Sequence, residues 1–322
     1  MDNQPYIEND PEVKLSVILP IIFLLLVIGF IFNPKIKRDD VSVPSETVQK
    51  PFPTVILGAK AAYVYDVRTK TVLFVKNENV RLPLASLTKI MSALVALETS
   101  PSYGTVSVTG EALQAEGDSG LYKDEKWLLK SLLDFSLMTS SNDGMRAVAL
   151  SLGALSRADA SSEEIIDDYV REMNRRAGEL DLKNTYFWNE TGLDLSTDLM
   201  GRESEVKGGA YGTAKDVSML LEYIITYHPE LLEATKDSFK LFQSLDNNSH
   251  LAKNTNSIIS DIPGLLASKT GFTDTAGGNL VIVFDPELGR PIIVSVLGST
   301  GEGRFDDVRA LVNAVMQYLN NN

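Results

Sequence analysis

One stretch limits the possible folds more than any other. From Leu84 to Leu97 the chain reads Leu-Ala-Ser-Leu-Thr-Lys-Ile-Met-Ser-Ala-Leu-Val-Ala-Leu, with Pro83 before it and no breaker after it until Pro101. The spacing predicts a helix, and its apolar residues fall on nearly every face, so other elements must surround it. Ser86 opens this helix, and Lys89 follows one turn later on the same face. A buried lysine must find partners or give up its proton, because burial disfavours the charge. A neutral amine beside a serine hydroxyl is a general base beside a nucleophile. Ser-x-x-Lys arises by chance about once in a chain of this size. It recurs at Ser204-Glu205-Val206-Lys207, in what reads as a charged, glycine-bearing loop with no apolar helix behind it, and no role is expected there.

Composition narrows the chemistry further. A net charge of −13 argues against nucleic acid as a partner, since that needs a basic footprint. There is no cysteine, so thiol nucleophiles, disulfides and thiolate metal sites are excluded. The two histidines, His228 and His250, sit among turn formers and read as solvated loop residues. A histidine-dependent triad or a zinc centre is therefore not expected, nor is any metal or other cofactor. Serine chemistry in this chain needs another base, and lysine is the candidate.

In chain order, residues 1–14 are polar and acidic and read as a disordered tail. Residues 15–32 form an uncharged apolar run just long enough to span a bilayer, and no small-x-small cleavage site follows, so an uncleaved transmembrane anchor is expected. Residues 33–53, with Pro44, Pro51 and Pro53, read as a linker, and 54–322 as the folded domain. Lys35, Lys37 and Arg38 outweigh Lys14 across the apolar run, a bias that by itself sets the folded domain in the cytoplasm.

Within the domain, Ala61–Asp66 and Thr71–Val75 read as a hairpin, and helices are predicted over Trp127–Met138, Met145–Leu155, Ser162–Leu180 and Ala214–Tyr227. Strands at Leu280–Phe284 and Ile292–Leu297 precede a closing helix at Asp306–Leu319. Strands at both ends with helices between them predict one sheet built from the two ends of the domain, plus an inserted helical region: a mixed α/β (α+β) fold.

Two further short stretches carry chemistry. Ser140-Ser141-Asn142 stands where a helix runs out into a polar turn, and Ser268-Lys269-Thr270-Gly271 lies just before the Leu280 strand. In the second, a cation, a hydroxyl and a glycine together allow a strand edge to approach an anionic ligand closely. Each is weak alone. In this order, Ser-x-x-Lys, Ser-x-Asn and Lys-Thr-Gly form the signature set of penicillin-binding proteins and serine β-lactamases. With Asn184-Thr185-Tyr186-Phe187-Trp188-Asn189-Glu190-Thr191-Gly192-Leu193-Asp194 and Lys269-Thr270-Gly271-Phe272-Thr273-Asp274, the chain from about Val55 to Leu319 resembles the low-molecular-mass serine D-Ala-D-Ala carboxypeptidases.

The resemblance implies an antiparallel sheet flanked by helices, with an inserted all-helical subdomain and the active site in the cleft between them, the β-lactamase/transpeptidase-like arrangement. It implies Ser86 as acylated nucleophile, Lys89 as its base, Ser140 as a proton relay, and Asn142 bonding substrate or holding Lys89. Lys269, Thr270, Gly271 and Phe272 line the opposite wall, where Lys269 and Thr270 meet the substrate's terminal carboxylate with help from Arg304. The N–H groups of Ser86 and Phe272 form the oxyanion hole, and Lys269 lowers the pKa of Lys89. The implied activity is removal of the terminal D-alanine from peptidoglycan stem peptides, with β-lactams as covalent inhibitors. A D,D-endopeptidase of the same family and a non-catalytic peptidoglycan- or β-lactam-sensing module are the alternatives. A class A β-lactamase is disfavoured by the lack of a Glu-x-x-Leu-Asn motif. Phe272 departs from the tyrosine or histidine common at that position. The anchor at 15–32 is expected to replace the C-terminal membrane tail of many relatives. Because the implied substrate lies outside the membrane, the domain is expected to be extracytoplasmic against the charge bias.

Overall fold

The computed structural model describes residues 51–157, 159–197 and 203–321. The expected tail and anchor, and the linker as far as residue 50, lie outside the described residues. Among the described residues no helix is long and apolar enough to cross a membrane.

The centre of the domain is a five-stranded antiparallel sheet. From one edge it runs Leu265–Thr273, Gly277–Phe284, Ile292–Ser299, Ala61–Asp66 and Thr71–Lys76. Three adjacent strands thus come from the C-terminal end of the domain and two from its N-terminal end; the strand pattern predicts four of them, and Leu265–Thr273 is the one it does not. Alternation sorts their side chains. Ala62, Val64, Leu280, Ile282, Phe284, Val294 and Val296 pack against Phe305, Val308, Leu311 and Val315 of the closing helix, Gly303–Asn321. Tyr63, Tyr65, Val281, Val283 and Ile293 face the other way, into a larger core shared with the remaining helices. Burial on both faces explains why the three inner strands, Ala61–Asp66, Gly277–Phe284 and Ile292–Ser299, are buried along nearly their whole length and largely apolar.

The Lys89 helix, Thr88–Thr99, runs through that larger core, and helices Leu129–Thr139, Asn142–Ser156 and Ser162–Glu179 pack around it. Its residues from Thr88 to Ala96 are all buried, so its all-round apolar character is satisfied by neighbours on every side. The Ser162–Glu179 helix opens with a capping box between Ser161 and Glu164.

Several sequence expectations need correcting. Ser86 belongs to a 3₁₀ turn, Ala85–Leu87, and the α-helix begins only at Thr88. Lys126–Leu128 is a strand paired with Thr105–Ser107, so the helix expected from Trp127 starts at Leu129. The region between the sheet's two halves is therefore not all-helical; it also holds a Phe239–Gln243/Ser249–Lys253 ribbon and a three-stranded patch of Leu82–Pro83, Ala210–Gly212 and Tyr186–Phe187. The second Ser-x-x-Lys lies in a strand, Glu203–Lys207, rather than a loop. His250 is not solvated: the ribbon's alternation turns it inward, where Nε2 meets Glu125 Oε1 at 2.8 Å among the rings of Tyr122, Trp127 and Phe135. His228 is half-buried, with Nε2 3.3 Å from Glu98 Oε1.

Candidate active site

The serine is presented by a turn gripped from several sides. Ala85 holds φ +48°, a left-handed conformation that disfavours a side chain and costs about 1–2 kcal/mol, so its neighbours must enforce it. Asn279, fully buried in the Gly277–Phe284 strand, donates from Nδ2 to Pro83 O and Leu84 O, both at 3.0 Å. Its Oδ1 accepts from Gly298 N–H at 2.8 Å, which fixes the amide's orientation. Two glycines allow close approach. A Cβ on Gly192 would sit 1.9 Å from Ala85 O, and one on Gly271 would sit 2.8 Å from Leu84 O and 3.3 Å from Ser86 N. The Thr191-Gly192 turn and the Lys-Thr-Gly strand therefore reach the nucleophile only because both positions lack a side chain.

Lys89 is fully buried beneath Ser86. Its Nζ donates to Asn142 Oδ1 at 2.6 Å and Thr191 O at 2.8 Å, and lies 3.0 Å from Ser86 Oγ. Burial lowers its pKa to about 7, although the charge of Glu190 works in the opposite direction. The partners are not equivalent. The two carbonyl oxygens only accept, so a neutral amine keeps its two N–H groups on them and turns its lone pair to the Ser86 hydroxyl.

Ser140 and Asn142 come from the turn between two helices. Ser140 caps Leu129–Thr139 with φ +61°, and Ser141 starts the next helix, its Oγ accepting from Gly144 N–H at 2.9 Å. Asn142 is held on its other side by donating from Nδ2 to Glu116 O at 2.7 Å.

The facing wall is the strand Leu265–Thr273, an edge of the central sheet, where the sequence pattern places only a segment ahead of a strand. Lys269 is buried and donates from Nζ to Ser140 Oγ at 2.9 Å and to Thr270 O at 2.8 Å, bridging the cleft from sheet to helices. Thr270 Oγ1 pairs with Thr255 Oγ1 at 2.5 Å. Arg304, in the first turn of the closing helix, donates from Nη1 to Gly271 O at 2.8 Å, and its guanidinium lies 5.9 Å from the ring of the exposed Phe272. Burial, then the charges of Lys89 and Arg304, hold the Lys269 pKa well below the usual lysine range.

All nine residues singled out in the sequence thus meet at one place. Their electrostatics differ from expectation in one respect: burial lowers the Lys89 pKa with Glu190 opposing it, and the expected lowering by Lys269 is not among the causes. The two lysines are still coupled, since the charge of Lys89 helps depress the Lys269 pKa, and such coupling is reciprocal. Sequence reasoning missed Asn279 and Thr255, and it gave no role to Glu190, Thr191, Gly192 and Asp194 although they lie in the stretch that carries the resemblance. Asp194 accepts from Thr273 Oγ1 at 2.9 Å and from Thr275 N–H at 3.2 Å, tying the Gly192 turn to the end of the Lys-Thr-Gly strand. A lone asparagine inside an apolar strand was the one available signal for Asn279. Clefts of about 510 Å³ beside Lys70 and Glu222 and of about 610 Å³ beside Ile225 and Leu266 lie elsewhere, and neither is lined by a serine.

A family model described as D-alanyl-D-alanine carboxypeptidase matches residues 45–301. The D-alanyl-D-alanine carboxypeptidase DacF of Bacillus subtilis is 31% identical over 269 residues, covering 81% of this chain and 63% of that protein. The chain thus spans somewhat under two thirds of that relative's length. A solved D-alanyl-D-alanine carboxypeptidase from Mycobacterium tuberculosis aligns with TM-score 0.68 at 25% identity, over 84% of this chain and 95% of that one. Penicillin-binding protein D2 of Listeria monocytogenes, solved with ampicillin bound, aligns with TM-score 0.61 at 28% identity, over 81% of this chain and 99% of that one.

Proposed function

The chain belongs to the D-alanyl-D-alanine carboxypeptidase family, and from that premise we propose that it removes the terminal D-alanine of peptidoglycan stem peptides through an acyl-enzyme on Ser86. The arrangement of Lys89 carries this reading: a buried amine of pKa about 7, with its N–H groups occupied by acceptors and its lone pair free for the Ser86 hydroxyl 3.0 Å away.

The substrate backbone lies as an added strand along the outer edge of the Leu265–Thr273 strand, an edge of the central sheet. Its terminal carboxylate meets Thr270 and the cationic groups of Lys269 and Arg304. Lys89 takes the Ser86 proton as Oγ adds to the penultimate D-alanine carbonyl, and the oxyanion is held by the N–H groups of Ser86 and Phe272. Collapse breaks the peptide C–N bond, and the leaving amine takes its proton from Lys89, relayed through Ser140. Water, deprotonated by Lys89, then attacks the ester and releases Ser86. A β-lactam enters the same sequence, but its leaving amine stays tethered and obstructs the water, so the acyl-enzyme accumulates.

The apolar run 15–32 anchors the chain in the membrane, and the domain stands outside, where peptidoglycan is. Protease added to wall-stripped cells is expected to digest the domain; protection until lysis would instead favour the orientation set by Lys35, Lys37 and Arg38.

Incubating the purified protein with a stem pentapeptide is expected to release D-alanine. Penicillin is expected to add its full mass at Ser86, and Ser86→Ala to abolish both results. Labelling that persists in this variant or maps to Ser204, or a wild type that releases nothing, would overturn the assignment.

A further inference from the structure

Two elements hold Lys89 from opposite sides: the helix Asn142–Ser156 through Asn142, and the turn 189–192 through Thr191 O. One ion pair joins them. Arg146, one turn beyond Asn142, reaches from Nη1 to Glu190 Oε1 at 3.3 Å. Glu190 immediately precedes Thr191, and its side chain is 1% exposed, against 32% for Arg146. Its second oxygen, Oε2, is buried with no hydrogen-bond partner. A carboxylate in that position is expensive to bury unless it has a task. The groups around it are few. Arg146 faces it from one helix, Lys89 from a second, and Tyr169 from a third, with the Tyr169 hydroxyl committed to Ser92 O at 2.6 Å. Lys89 in turn faces Glu190 on this side and the cation of Lys269 on the other.

We propose that Arg146 and Glu190 form a positioning pair for acylation: the ion pair bolts the Thr191 turn to the Asn142 helix around Lys89 and keeps a carboxylate beside its amine. This deepens the reading of Lys89 as the base and rests on it. The chemistry follows from charge. Lys89 passes from neutral to cationic as it takes the Ser86 proton, so a fixed negative charge nearby favours the transition state over the ground state. The same charge favours the ammonium at equilibrium, opposing the effect of burial. Glu190 therefore makes Lys89 a stronger base and sets the pH below which acylation fails.

The test is the pH profile of penicillin acylation in the full chain, for wild type and Glu190→Gln. Losing the carboxylate is expected to move the acidic limb down by about one pH unit and to lower the plateau rate roughly tenfold. The second variant, Glu190→Gln with Arg146→Met, removes both charges and guards against a single variant that fails to fold. It is expected to move the acidic limb in the same direction but by less, since removing the Arg146 cation, only one third exposed, gives back part of the shift. A folded variant that loses rate while its acidic limb stays in place would reduce the pair to a structural brace and overturn the proposal. A wild type that forms no adduct would sink the reading of Lys89 instead. The two failures stay separable by NMR titration of ε-¹³C-lysine protein, with the Lys89 signal assigned by its loss in Lys89→Met. Its midpoint must fall in Glu190→Gln for the coupling to stand.

Discussion

Lys89 is held by three oxygens, and only the one on Ser86 carries a proton that it can take. That asymmetry separates a base from a merely buried cation. Replacing Lys89 by alanine is expected to lower acylation by substrate and penicillin alike by ~10²–10⁴-fold, chiefly in the chemical step. Stopped-flow acylation under saturating penicillin reads this directly. Lys269 acts differently. Its own pKa is depressed by burial and by the charge of Lys89, and that coupling runs both ways. Deleting the cation of Lys269 makes protonating Lys89 easier, so in Lys269→Ala the acidic limb is expected to move to higher pH, opposite in sign to Glu190→Gln. A limb that stays put or falls would show the lysines titrating independently. The same variant is expected to bind the anionic substrate more weakly, visible as a raised KM.

At the scale of elements, the site is a three-way junction at the Ser86 turn. The Gly277–Phe284 strand holds it through Asn279, the Lys-Thr-Gly strand abuts it at Gly271, and the turn at Gly192 closes on Ala85. Asn279→Ala leaves two buried carbonyls and the Gly298 N–H without their partner. It is expected to lose on the order of 2–4 kcal/mol of stability, measured by urea unfolding, and to slow acylation without moving the pH limbs. Gly271→Ala tests the close approach. Its Cβ would lie 2.8 Å from a backbone oxygen that cannot rotate away, so strand or turn must shift. A displacement near 1 Å is worth about 10²-fold in rate, and a loss of that size in penicillin labelling is expected. Labelling at the wild-type rate would show the junction to be softer than its packing implies.

For the whole molecule, burying Lys89 exchanges stability for reactivity. A lysine that titrates near 10.4 in the unfolded chain and at about 7 when folded leaves the unfolded state binding more protons between those values, so stability rises with pH across that window. Relative to Lys89→Met, the wild type is expected to gain on the order of 4 kcal/mol between pH 7 and pH 10, by chemical denaturation at each pH. A constant difference would mean that Lys89 keeps its ordinary pKa. Local chemistry and periodicity were enough to mark the buried helix with Ser86 and Lys89 at its start and four of the five sheet strands, because a helix apolar on all sides with a lysine in it has few ways to be satisfied; the other candidate site residues were legible only through the three short motifs and the family resemblance they carry. Which oxygens satisfy that lysine was a tertiary matter. Thr191 and Asn279 act through a backbone carbonyl and a side-chain amide brought in from distant parts of the chain, and neither group has a periodicity to read. His250 looked solvated among Asn and Ser because its inward direction is set by pairing with Phe242 across a ribbon, a register that only the folded partner strand fixes. The sequence by itself determined that a serine and a lysine would stand one turn apart at the start of a buried helix; the tertiary structure decided the charge that lysine carries, since burial and the Glu190 charge act through space and not along the chain.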